Sequence, residues 1–482
     1  MALAAILFAR PVAAVDLVRI ATIPRGESQW GDGLPIGDAD HDGRNEVYFE
    51  QSVPPFSLNG WEGWGSSSLQ PVMHYQGCHP AAVGDPDQDG LTDALCQWGG
   101  LAFLLESETP TTFPSRIVWG EPLGGFPGIN GYFHDADQDG RQEMWIVRGD
   151  TEVIEVWENR GNDSYEIVTV LGQPNLNPGT LAFGDFDGDG ATEIVVGGAL
   201  NSLFLWEATG DDLYTFTWTF GFADTFVLVV TSALDLDGDQ KSEFLVGGET
   251  LASDHRVSVF EARGNNTYEP VWEAVGDGSQ VFTYVVVGDV DGDGLEEFAA
   301  AVPGAIQLYE AVGDNDFSLI GQVPFRDTNN AIDLADLNGN GVDELIFNGD
   351  FDLDGPIRID LYELADIQPP VLIPSWYPSS YQAPPGGLLA VQLELFNRTD
   401  LVQPQDLWLE VYQGRGEGGP QGPLLRQKLL RSQAPLPSRQ TVGRELTLRV
   451  PPQSGEYTYQ VKAGTFPAQV TDTRWFTIVA GP

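Results

Sequence analysis

Basic residues are the first thing this chain is short of: 23 Lys and Arg face 71 Asp and Glu, a formal net charge of -48. That excess repels phosphate backbones and anionic bilayers, so no nucleic-acid partner is expected and cations are the natural ones. Long apolar runs are also missing. Past the first few residues no segment approaches the ~20 apolar residues of a membrane helix, so no membrane insertion is expected. No long stretch repeats apolar residues at helical spacing, whereas 57 Gly and 33 Pro supply turns. With 42 % hydrophobic and 11 % aromatic residues, disorder is excluded as the main state and the chain reads as all-β.

Cysteine is nearly absent. If the chain is exported, Cys78 and Cys96 could pair, but on the arms of one hairpin their register comes out about four residues apart, which leaves the disulfide open. Met1 to Ala14 carries an apolar run, Ala2 to Ala9, followed by Val12-Ala13-Ala14, small residues of the kind that precede a signal-peptidase cut. Residues 1–14 read as a signal peptide whose charged start is missing, the alternative being an apolar tail. A secreted protein, extracellular or on the cell surface, is the expectation. The acid is unevenly spread: after residue 370 there are eight acidic and ten basic residues, about +2, so residues 1 to 369 carry about -50.

What is abundant is a repeat. The nine-residue pattern acid-x-acid-x-acid-Gly-x-x-acid starts at Asp38, Asp85, Asp135, Asp185, Asp235, Asp289 and Asp336, at intervals of 47, 50, 50, 50, 54 and 47 residues. Short apolar runs flank each copy, such as Leu181 to Gly184 and Ile194 to Gly198, and read as strand, acidic loop, strand. Further on, each repeat has an apolar or aromatic residue followed by Glu: Trp61-Glu62, Leu105-Glu106, Trp157-Glu158, Trp206-Glu207, Phe260-Glu261, Tyr309-Glu310 and Tyr362-Glu363. Four repeats then show Gly161, Gly210, Gly264 or Gly313 and, four residues later, Tyr165, Tyr214, Tyr268 or Phe317. These aromatics are expected to pack blade against blade.

Four strands per repeat, seven times, predict a seven-bladed β-propeller over residues 15–366. The last repeat stops after its third strand near Leu364, so residues 17 to 23 are expected to complete it and leave no open edge. A Pro-rich linker is read over 367–384, and alternating stretches such as Leu389 to Phe396 and Tyr457 to Lys462 predict a small β-sandwich over 385–482.

Three carboxylates at alternate positions converge when a residue at position six lets the backbone turn sharply, and a hard cation taking six to eight oxygens fits there. Calcium is the expected cofactor, up to seven ions. Magnesium demands stricter geometry, and zinc would want Cys or His, which do not recur in the pattern. Positions one, three, five and nine supply the candidate ligands. They are Asp38, Asp40, Asp42 and Glu46; Asp85, Asp87, Asp89 and Asp93; Asp135, Asp137, Asp139 and Glu143; Asp185, Asp187, Asp189 and Glu193; Asp235, Asp237, Asp239 and Glu243; Asp289, Asp291, Asp293 and Glu297; and Asp336, Asn338, Asn340 and Glu344. Position seven would lend its carbonyl, leaving its side chain free to vary. Seven divalent ions would take the net charge from -48 to -34. The last site, with two carboxylates, and the fifth, with Gln240 in place of Gly, are expected to be weaker. A near match, Asp350-x-Asp352-x-Asp354-Gly355, has Arg358 in ninth place and reads as a loop between strands.

These residues resemble FG-GAP or VCBS repeats, the units of the integrin alpha-chain propeller and of many secreted bacterial proteins; Gly184-Asp185-Phe186-Asp187-Gly188-Asp189-Gly190-Ala191-Thr192-Glu193 is the cleanest example. The resemblance covers about residues 17 to 364 and implies calcium in the loop between the first two strands of each blade. Integrins carry that loop in only some blades. The C-terminal part is similar to immunoglobulin-like or fibronectin-like modules. A non-catalytic binding or adhesion scaffold for an extracellular protein or glycan follows, with surface supplied by connections such as Gly172 to Thr180 and Phe220 to Phe226. The alternatives are a calcium-dependent lectin, hinted at by Trp61 and Trp64, and a polysaccharide lyase. The five histidines, His41, His74, His79, His134 and His255, hold unrelated places in the repeat and read as turn or packing residues.

Overall fold

The computed structural model describes residues 17–481 apart from 25–33, 52–56, 65–67, 123–129, 149–150, 177, 199–200, 253, 277–283, 325–331, 339–340, 350–357, 365–371, 379–381, 398–402, 415–422, 437–440 and 468. The expected signal peptide and the Asp350 near match lie outside the described residues, as does Asn340. Among the described residues every regular element is a strand.

The described residues form seven four-stranded antiparallel sheets, one after another along the chain. The first holds Ile36–Gly37, Glu46–Gln51, Ser57–Trp64 and Ser68–Gln76, and the second His79–Gly84, Asp93–Trp98, Leu101–Glu106 and Arg116–Pro122. The third holds Gly131–His134, Glu143–Arg148, Val153–Asn159 and Tyr165–Leu171, and the fourth Pro178–Gly184, Glu193–Gly198, Ser202–Gly210 and Leu213–Gly221. The fifth holds Thr225–Ala233, Glu243–Thr250, His255–Gly264 and Thr267–Gly276, and the sixth Val285–Gly288, Glu297–Val302, Ala305–Gly313 and Asp316–Pro324. The seventh takes Ile332–Ala335, Glu344–Gly349 and Arg358–Leu364 from late in the chain, and its outer strand is Leu17–Pro24.

Packing turns the row of sheets into a ring. Tyr48 and Leu58 of the first sheet share a core with Cys96 and Phe103 of the second, and Leu95 and Leu104 of the second with Trp157 and Tyr165 of the third. The same pairing runs on through the fourth, fifth and sixth sheets to Phe347 and Leu364 of the seventh. Ile20, Ile346 and Ile359 of the seventh then meet Val47 and Trp61 of the first. First strands from all seven sheets, or the residues leading into them, line one cavity of about 340 Å³, contacted by Leu34, Ala81, Gly131, Thr180, Val230, Val285 and Ile332. Second strands are covered on both faces, which is why Ile194-Val195-Val196 is continuously apolar instead of alternating. Tyr165, Tyr268 and Phe317 are buried between sheets, so their regular spacing serves packing. Trp61 is buried in the core between first and seventh sheets, which removes it as a sugar-stacking residue.

Cys78 and Cys96 form a disulfide with Cα atoms 5.3 Å apart. A bulge between Pro80 and Ala82 shifts the register, so that Cys96 faces Pro80, two residues from Cys78. Beyond the ring, Leu372–Pro378, Leu388–Asn397 and Thr441–Arg449 make a three-stranded sheet. Gln382–Ala383, Gln469–Ala480, Gly455–Thr465, Gln403–Gln413 and Leu424–Leu436 make a five-stranded one. Part of the expected linker is therefore sheet. Pro374 and Pro378 lie in the edge strand Leu372–Pro378, where a missing N–H can face away from the ladder.

Candidate metal centres

Each acidic pattern forms the loop between the first and second strands of its sheet, numbered here 1 to 7. One hydrogen bond recurs in all seven: the position-six N–H donates to Oδ2 of the position-one carboxylate at 2.7–3.1 Å. In six loops the position-seven N–H donates to Oδ1 of position five at 2.8–3.0 Å. The position-nine Glu closes the loop from below, its Oε2 accepting the position-two N–H at 2.7–2.9 Å. Loop 2 lacks that last bond because its position two is Pro86, which has no N–H to donate. Position six has φ between 83° and 93° wherever it is Gly, and Gln240 adopts 72° there, a left-handed backbone costing a non-glycine residue about 1–2 kcal/mol.

In five loops the other position-one oxygen also accepts a backbone N–H, as Asp38 Oδ1 does from Asp42 and Asp185 Oδ1 from Gly188, so these bonds fix the carboxylates in place. Asp135, Asp137, Asp139 and Glu143 bring one oxygen each within 4.8 Å of one another, as do Asp185, Asp187, Asp189 and Glu193. Asp38, Asp40 and Asp42 do so in loop 1, and Asp85, Asp87 and Asp93 in loop 2. Ligands about 2.4 Å from a calcium ion can lie no farther apart than about 4.8 Å, so the sets fit such an ion. Glu46 Oε1, Asp87 Oδ1, Asp93 Oδ1, Asp135 Oδ1, Glu193 Oε1 and Glu243 Oε1 are buried and meet no donor. In loop 7 the Asn338 amide instead donates to Glu344, and to Glu363 at 2.6 Å.

Electrostatics says the same. Burial first, with neighbouring acids adding, pushes Glu46, Glu143, Glu193, Glu243 and Glu297 up to about 8 and Asp93 up to about 9. Burial also drives Glu344 well above its ordinary range, with Glu363 reinforcing it. Only a proton or a metal cation would relieve that crowding.

Three features of the centres were not legible as such. In four sheets the Glu that follows the apolar or aromatic residue sits directly across from position nine: Glu46 faces Glu62, Asp93 faces Glu106, Glu193 faces Glu207 and Glu243 faces Glu261. Second, a basic position seven does not vary freely, since Arg44 and Arg141 bond Glu62 and Glu158 at 2.7 and 2.6 Å, and Lys241 reaches Glu261. Third, position three reaches the next sheet. Asp87, Asp137, Asp187 and Asp237 accept the N–H of Asp163, Asp212, Asn266 and Asn315, residues of positive φ in the neighbouring turn, at 2.6–3.0 Å. The acidic loops and the joints between sheets are thus one network.

Residues 135–196, 185–246, 235–300 and 289–347 match the FG-GAP-like repeat family. Four FG-GAP-like repeats are present. Each matched span begins at position one of an acidic loop and ends within the second strand of the following sheet. In structure the chain is similar to BBS1N, solved in complex with ARL6DN and soaked with mercury, at 12 % identity over 72 % of this chain and 98 % of that one, with a TM-score of 0.49. It is also similar to BP39L lectin from Burkholderia pseudomallei, at 12 % identity over 71 % of this chain and 96 % of that one, TM-score 0.50. At that identity the lectin speaks for a propeller-like fold alone. No curated protein matches by sequence.

The histidines stay apart: His74 contacts Asn59 at 3.0 Å, His79 contacts Glu50 at 2.7 Å, and His134 stacks on Phe183. The connections expected to offer surface are partly core, with Leu176 and Phe222 buried.

Proposed function

We propose that this protein is a calcium-binding, non-catalytic scaffold of the extracellular space or cell surface, whose ring of sheets presents a binding face to a protein or glycan. One observation carries the calcium part: carboxylates from one loop after another converge within an ion's reach and leave buried oxygens without donors. Any ion that binds only the folded chain stabilises it by mass action, about 2.7 kcal/mol per site at a hundredfold excess over its Kd. The test is metal analysis of the purified protein with thermal melts in calcium and in chelator. Bound calcium and a chelator-induced fall in Tm are expected; an unchanged melt sinks the reading.

A groove of about 520 Å³ between the first and second sheets favours a glycan over a protein as ligand. Tyr75, Trp98, Phe103 and Ile117 line it, with Trp98 41 % exposed. Exposed aromatic faces stack on sugar rings as they do on other flat apolar faces. A glycan array run with the parent and with Trp98→Ala tests this, and equal binding by both removes the groove from consideration.

A further inference from the structure

The joint between the second and third sheets holds acids beyond those the loops require. Asp87 of loop 2, Glu106 of the third strand and Asp163 of the next sheet's turn bring one oxygen each within 4.8 Å of one another. Glu106 is 1 % exposed. Its Oε2 accepts from Arg116, while its Oε1 and Asp87 Oδ1 are buried and meet no donor. The Asp163 N–H donates to Asp87 Oδ2 at 3.0 Å, and the Asn162 amide donates to Asp163 Oδ2 at 2.9 Å.

Three equivalent joints show what such a place requires. Between the third and fourth sheets, Arg141 bonds Glu158 at 2.6 Å and Arg160 bridges Glu158 and Asp212, the latter at 3.1 Å. Between the fourth and fifth, Asn266 donates its amide to Glu207. Between the fifth and sixth, Asn315 donates to Glu261 at 2.8 Å, and Lys241 reaches the same carboxylate. At the second joint these donor positions read Leu91, Glu108 and Asp163. Where the other joints give the third-strand Glu a donor from position seven, from the residue two past that Glu or from the turn Asn, this joint gives Glu106 only Arg116 and adds a third carboxylate.

We propose that a second calcium ion binds at Asp87, Glu106 and Asp163, bridging two sheets and sharing Asp87 with the ion of loop 2. Ligands that are all oxygen select a hard divalent cation. The shared carboxylate couples the loop to the joint, so filling one place aligns Asp87 for the other.

Native mass spectrometry of the full chain in calcium counts the ions. Asp163→Asn installs the residue type found at the next two joints but one, and should bind one ion fewer than the parent. Glu106→Gln should do the same and serves if the first variant does not fold. Asp89→Asn, which touches only loop 2, should lose a different ion, so Asp89→Asn with Asp163→Asn should lose two. In chelator Asp163→Asn should melt above the parent, because a donor replaces a repelling acid. A parent that binds calcium in the same number as Asp163→Asn and Glu106→Gln overturns this proposal alone. A parent that binds none overturns the loop reading with it.

Discussion

Calcium binding should expel protons, and the number follows from the structure. Glu46, Glu143, Glu193, Glu243 and Glu297 are held at about 8, so at pH 7 each is about nine-tenths protonated in the metal-free protein. Asp93, at about 9, is almost fully protonated. An ion needs these groups as carboxylates, so saturation at pH 7 should release between about five and six protons per chain from these six groups, and at pH 9 about one. Apparent affinity should rise steeply between pH 6 and about 8 and then level off. Titration calorimetry in buffers of different ionisation heat reads the proton number from the slope of observed heat against buffer heat. Tight calcium binding at pH 7 with no proton release would refute the argument, because the buried position-nine acids would then already be ionised or would not be ligands.

Other expectations are simpler to check. In the metal-free protein the same acids are raised above their unfolded value of 4.5, so their contribution is full below about pH 4.5 and lost as pH rises toward and through 8. Scanning calorimetry of the metal-free chain should therefore give a lower Tm at pH 8 than at pH 5, and calcium should abolish or reverse that order. Gln240→Gly relieves a φ of 72° and should stabilise the chain by about 1 kcal/mol in denaturant melts, with tighter calcium binding at loop 5. Lys241→Met frees Asp239 Oδ2 from an ammonium 2.6 Å away and should raise loop 5 affinity severalfold in a calcium titration. Replacing Cys78 and Cys96 by Ala removes a crosslink across a separation of 18 residues and should cost about 3 kcal/mol, read from the shift of the unfolding midpoint.

The repeat made the loops, the sheets and the closing strand legible because each depends on a local pattern. Asp, Gly and Glu at fixed places dictate a turn whatever lies around it. What depended on neighbours was harder to read. Glu106 and Glu207 marked the period, yet only pairing across strands shows that they face position nine. Gln88 and Gln138 stand at position four with φ of 59° and 61°, and their amides bond Gly140 and Gly190 carbonyls in the following loop, a contact about fifty residues away. The disulfide depended on a bulge at Pro80 that no count of residues would supply. Prolines at 374 and 378 suggested a linker, because proline alone cannot tell an edge strand from a connection.

The seventh sheet carries an implication for how the molecule is made. Leu17 pairs with Leu364, so the final hairpin's outer partner emerges from the ribosome long before the strand it must meet. Until that meeting Arg358–Leu364 presents an uncovered rim, and the nascent ring behaves as an open arc that could add a strand from another molecule. Assembly is therefore governed by an encounter between distant stretches of chain, and anything that delays it lengthens the interval in which aggregation competes with closure.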